Sequence, residues 1–193
     1  MISEISLMAE LKSSTWPLHK EIESYMPFFN EGFDSVQYQD LLEKFFSFYQ
    51  AYEQRLQEVL PQTSLVEFYQ GRQKTPALVK DLHALRGARV DSPLDAPQKA
   101  ELPSLHSRAA VLGSLYVIEG STLGGQIITR HLQQKVGLPA EHTHFFSGYG
   151  TQTGPRWKEF QQLMDSQNFT TAERAEAIES AKATFISLMK WIF

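Results

Sequence analysis

The chain of 193 residues has no cysteine. That excludes disulfides, thiolate metal sites, iron–sulfur clusters and cysteine nucleophiles together. Nor is there an apolar run near the roughly 20 residues that a membrane helix needs. The first residues include Glu4 and Glu10 and lack a basic start followed by a long apolar core, so no signal peptide is expected. An excess of positive charge is missing too. The 18 Lys and Arg face 22 Asp and Glu, a net charge of −4, which argues against nucleic acid as the main partner. No repeat and no low-complexity run occurs, and no Gly-x-Gly-x-x-Gly follows a strand pattern, so a dinucleotide site is not expected. The expectation from these absences is a soluble, cytoplasmic protein that is not held at a membrane.

The hydrophobic content is 42% and the charged content 21%, ordinary for a packed protein. The length suits one domain over 1–193. The dominant periodicity is helical. From Tyr38 to Leu60 apolar residues recur at steps of three and four, and Pro61 ends the pattern. A shorter helix is predicted over Thr75–Arg86. Gly87–Pro103, with Pro93 and Pro97, reads as a surface loop. A helix over Ser107–Val136, a Gly-rich connection (Gly137, Pro139 and His144–Gly154), and helices near Pro155–Met164 and Thr171–Ile192 follow. Thr170 or Thr171 with Glu173 offers an N-cap for the last of these. Trp191, Ile192 and Phe193 read as the end of an amphipathic helix or as a cut in the chain. Alternation with period two is scarce, so the expected architecture is an all-α bundle.

Two segments carry chemistry. In the first, Glu10–Glu23, Pro17 opens or kinks a helix, and His19 and Glu23 share a face one turn apart. A carboxylate so placed can take a hydrogen bond from the ring nitrogen that faces away from a metal, which fixes tautomer and ring orientation. A surface His–Glu pair explains the spacing as well. The second is the predicted helix containing Gly113, Gly120, Gly124 and Gly125. Each glycine costs about 1 kcal/mol against alanine inside a helix, so something must require them. Losing side chains at 120, 124 and 125 bares backbone over about 7.5 Å of axis, against which a flat group can lie or at which the helix can bend. Close packing against another helix is the competing explanation.

The stretch Tyr116-Val-Ile-Glu-Gly120-Ser121-Thr-Leu-Gly124-Gly125-Gln126 resembles the distal helix signature of haem oxygenases, nearest to bacterial biliverdin-producing members. The pattern Lys12…Leu18-His19-x-x-x-Glu23 resembles their proximal helix, and the order of the two segments matches as well. The resemblance implies a helical bundle holding haem between the proximal helix and a kinked, Gly-rich distal helix. It implies His19 as the iron ligand, Glu23 behind it and Lys12 as a propionate partner. Tyr116, Gly120, Gly124 and Gly125 would line the haem, and Gly120, Ser121 and Gly124 would sit where the reaction occurs. It also implies an activity: haem serves as cofactor and substrate and is opened with O2 and electrons to biliverdin, carbon monoxide and ferrous iron. The electrons would come from an external reductase, a ferredoxin or flavoprotein, or another donor.

One position departs from the pattern. Several family members carry aspartate after the first distal glycine, and here that residue is Ser121, which can hold water but carries no charge. A non-catalytic haem carrier on the same fold is therefore the alternative. A diiron protein wants Glu-x-x-His pairs on facing helices, and none is present. Arg156 and Lys158 are further propionate candidates by analogy. His83, His106, His131, His142 and His144 are expected to be surface or core residues.

Overall fold

The computed structural model describes residues 5–86 and 101–193, with Arg86 described by its backbone alone. The 87–100 part of the expected surface loop lies outside them, while Pro103 at its end is buried. Among the described residues there are eight α-helices and no strand: α1 (Leu7–Tyr25), α2 (Ser35–Val59), α3 (Val66–Tyr69), α4 (Thr75–Arg86), α5 (Arg108–His131), α6 (His144–Ser147), α7 (Thr153–Asp165) and α8 (Thr171–Ile192).

Local chemistry accounts for the N-termini of the four longest helices. Ser6 caps α1 through the backbone N–H of Ala9, and Ser107 caps α5 through that of Ala110. Asp34 with Gln37 on α2, and Thr170 with Glu173 on α8, form reciprocal capping boxes. Pro17 lies inside α1 and does not open it. The expected Gly-rich connection is more ordered than its composition suggests, since α6 and the start of α7 fall within it. The bend expected at the glycines leaves no interruption in α5. Irregular hydrogen bonding starts only at the π-helical turn Leu132–Val136, which ends at Gly137 with φ 79°.

Helix α5 is the central element. It packs along α8, which also packs against α1, while α2 packs against α4 and α8. Leu112, Leu115 and Ile118 of α5 join Leu42, Tyr52 and Leu56 of α2 and Phe160 of α7 in one buried core. Polar contacts set the α2–α5–α8 crossing. Ser114 Oγ lies 2.8 Å from both Tyr52 Oη and Thr184 Oγ1, and Ser180 Oγ donates to the Ala110 carbonyl at 2.7 Å. Gly113 permits this approach: a Cβ there would lie 1.9 Å from the carbonyl oxygen of Ala177 on α8.

Candidate functional site

A cavity of about 590 Å³ opens between α1 and α5. On the α1 side it is lined by Lys12, Trp16, His19 and Glu23, on the α5 side by Tyr116, Gly120, Ser121 and Gly124. The two chemically suggestive segments, about a hundred residues apart in the chain, thus form opposite walls.

His19 is held as a flat, half-exposed ring. Trp16 stacks on it with centroids 5.6 Å apart and an interplanar angle of 8°, and Phe185 of α8 meets its edge at 6.1 Å. Its Nδ1 is buried without a hydrogen-bond partner among the described residues. Glu23 Oε1 lies 3.6 Å from Nδ1, too long for the hydrogen bond that the spacing suggests, while Lys20 holds Glu23 Oε2 at 2.8 Å. With Nδ1 covered, Nε2 is the nitrogen left for a ligand. Lys12 is exposed at the cavity wall.

The glycines of α5 divide into two kinds. A Cβ on Gly124 would meet nothing within 4 Å among the described residues, and one on Gly120 would touch only the Trp157 ring at 3.6 Å. A Cβ on Gly125 would lie 2.0 Å from the backbone oxygen of Phe146. Gly125 borders the cavity, but its missing side chain is already explained by packing, as at Gly113. Only Gly120 and Gly124 leave space toward the cavity, the cradle that a planar group needs. Tyr116 lies between Trp157, at 5.9 Å, and Thr15, and Ser121 donates to the Ile118 carbonyl at 2.8 Å. The buried Tyr49 lines the same cavity.

A family model described as "Heme oxygenase" matches residues 5–193. The chain belongs to the haem oxygenase family. A heme oxygenase of Xanthomonas campestris pv. campestris is 33% identical over 152 residues, covering 79% of this chain and 86% of its own. Among solved structures, heme oxygenase 2 of Chlamydomonas reinhardtii without haem superposes with a TM-score of 0.81 at 21% identity, over 97% of this chain and 96% of its own. The haem complex of heme oxygenase-1 from the cyanobacterium Synechocystis gives 0.75 at 17%, over 97% and 91%.

Within this member of the family, the other candidates lie elsewhere. Arg156 donates to the Gly71 carbonyl at 2.5 Å and stacks on Tyr149 at 4.4 Å, and neither it nor the exposed Lys158 lines the cavity. The remaining histidines are also outside it: His144 pairs with the buried Asp81 at 2.8 Å, His131 meets the Phe29 ring at 4.6 Å, and His106 pairs with Glu176.

Sequence reasoning misses a buried polar cluster directly behind the glycine helix. Glu119, one residue before Gly120, is 1% exposed and accepts from Arg72, from Lys74 Nζ at 2.8 Å and from Tyr149 Oη at 2.8 Å. Lys74 also donates to the Arg72 carbonyl at 3.0 Å and to Tyr149. Arg72 continues to Glu159 at the surface. Burial pushes the Lys74 ammonium down and the Glu119 charge opposes it; burial, then Glu119, push the Tyr149 phenol up. The sequence holds a signal for part of this, because Glu119 is the lone charge in the apolar run Val111–Leu123. Nothing in it points to Arg72, Lys74 or Tyr149 as its partners.

Proposed function

We propose that this chain binds haem between α1 and α5 and opens it, with O2 and electrons from an external reductase, to biliverdin, carbon monoxide and ferrous iron. The observation that carries this reading is the pairing across one cavity of the His19 ring with the bare backbone at Gly120 and Gly124. The residues present fit the group. Nε2 of His19 is the available iron ligand, and the unpartnered Nδ1 needs an acceptor that Glu23 supplies after a small shift. Lys12 offers a cation to a propionate. When bound, haem supplies the redox chemistry.

The chain supplies orientation and hydrogen bonds. Gly120 and Gly124 admit a flat ring close to the helix, and Tyr116 and Trp157 close the space beside it. Ser121 gives its hydroxyl hydrogen to the Ile118 carbonyl, so its oxygen keeps lone pairs for water. The same arrangement favours the second reading, a haem carrier, because Ser121 so bonded has no free hydrogen to pass on. The deciding experiment is a hemin titration followed by reductant in air. Loss of the Soret band with growth of biliverdin absorbance is the expected result. Tight binding without ring opening leaves the carrier, and no binding removes both readings.

A further inference from the structure

Tyr149 stands between two glycines in the left-handed region, Gly148 with φ 59° and Gly150 with φ 56°. Such positions leave the backbone on both sides of it intrinsically free. The same segment carries Phe145 and Phe146, which form part of the cavity wall. The α6 end of this segment is anchored by Asp81, which accepts from the backbone N–H groups of His144 and Phe145 at 2.8 Å, and by the contact of Phe146 with Gly125; between Gly148 and Gly150 the side-chain anchor is the Tyr149 hydroxyl. That hydroxyl reaches both carboxylate oxygens of Glu119, at 2.8 and 3.0 Å, and receives Lys74 Nζ. The Tyr149 ring is flanked by Lys74 Nζ and Arg156 Cζ, each 4.4 Å from the centroid. Glu119 is the residue before Gly120, where α5 loses side chains toward the cavity. The α5 face and the Phe145–Phe146 wall, which touch directly at Gly125 and Phe146, thus gain a second tie at one hydroxyl. Lys74 touches the cavity too, but all three of its ammonium hydrogens are taken by Arg72, Glu119 and Tyr149, so the cluster holds things in place and does not hand protons to the cavity.

We propose that Tyr149 is a positioning residue: its hydroxyl clasps α5 at Glu119 and so, together with the Gly125–Phe146 contact, fixes the Gly120–Gly124 face and the Phe145–Phe146 wall relative to each other. Its effect on the cavity occupant rests on the reading of the cavity as a haem site; its effect on the two walls does not. The clasp acts through Glu119 and touches no ligand itself.

The test is Tyr149→Phe in the full chain, which keeps the ring between its two cations and all buried charges while removing one hydroxyl. Amide hydrogen exchange of the ligand-free protein should rise about tenfold, the effect of one lost hydrogen bond, at residues 120–125 and 144–152. Residues of α2 and α8 should exchange as in the unmutated chain. In the hemin complex, transfer to excess apomyoglobin should quicken by a similar factor, and the ferrous carbon monoxide stretch should broaden or split. A uniform rise in exchange, or none, overturns the clasp. A local rise with unchanged hemin release and an unchanged carbon monoxide band overturns its positioning role. Lys74→Met is the second variant; it removes one partner of the hydroxyl and should quicken exchange in the same two segments, and exchange there unchanged counts against the clasp. If the unmutated chain takes up no hemin, the haem reading fails while the exchange data still decide the clasp.

Discussion

A Cβ added at Gly125 would lie 2.0 Å from the carbonyl oxygen of Phe146, whereas one added at the adjacent Gly124 would meet nothing within 4 Å among the described residues. Neighbouring glycines in one motif therefore answer to different demands. Gly125 lets α5 approach α6 closely. Gly124 keeps a surface of the cavity bare.

This difference predicts opposite signs for the same substitution. In the ligand-free protein, Gly124→Ala should raise the melting temperature, with a gain of about 1 kcal/mol from helix propensity and reduced unfolded-chain freedom. Gly125→Ala should lower stability by about 1–3 kcal/mol or more, since backbone must move. Thermal melts of the two variants side by side check this, and equal signs would remove the distinction.

With hemin bound, the Gly124→Ala gain should turn into a loss of function. The added methyl enters the space that a planar ligand needs, and shifts of a fraction of an ångström matter where reacting groups must be aligned. Single-turnover conversion of the hemin complex of Gly120→Ala and Gly124→Ala should fall well below that of the unmutated chain. Ser121→Ala should cost less than either. Full conversion by both glycine variants would remove a planar ligand as the reason for these glycines.

His19→Ala should shift the Soret band and the ferrous carbon monoxide spectrum, because no second imidazole among the described residues lines the cavity. Its fold should persist, since the ring is half-exposed and its Nδ1 has no hydrogen bond to lose. A spectrum identical to that of the unmutated complex would give the iron another ligand.

Lys12→Ala should weaken hemin retention only modestly, by about 0–1 kcal/mol, as expected for an exposed charge meeting a carboxylate in water. Glu119→Gln is the harsher change. It leaves Arg72 and Lys74, both almost wholly buried, without their common carboxylate, and breaking a buried pair from one side costs about 3–5 kcal/mol. Hemin transfer to apomyoglobin checks the first, and urea unfolding of the ligand-free Glu119→Gln variant checks the second.

Much of the fold is legible in the order of amino acids, because helix formation is largely local. Periodicity and caps place Thr75–Arg86 and Thr171–Ile192 at their observed bounds, and Tyr38–Leu60 nearly so. They do not reveal α6, whose four residues are too few to show a period, nor that Pro17 lies within α1. In the candidate site, spacing and motif single out His19, Lys12, Tyr116, Gly120 and Gly124, and these do meet at one cavity.

Residue order alone establishes that the chain is helical and that a histidine lies on one helix. It also establishes that another helix carries glycines too costly to keep unless something occupies or approaches their face. Packing of the helices settles which glycine faces a neighbouring backbone and which faces space, and that Arg156 serves Gly71 and Tyr149 instead of the cavity. Packing likewise joins Glu119 to Arg72, Lys74 and Tyr149. The reason is range. Helix periodicity and capping act within a few residues, so they leave a trace in the order of amino acids. Close backbone approach and buried charge pairing join residues tens of positions apart, and these exist only once the helices have packed.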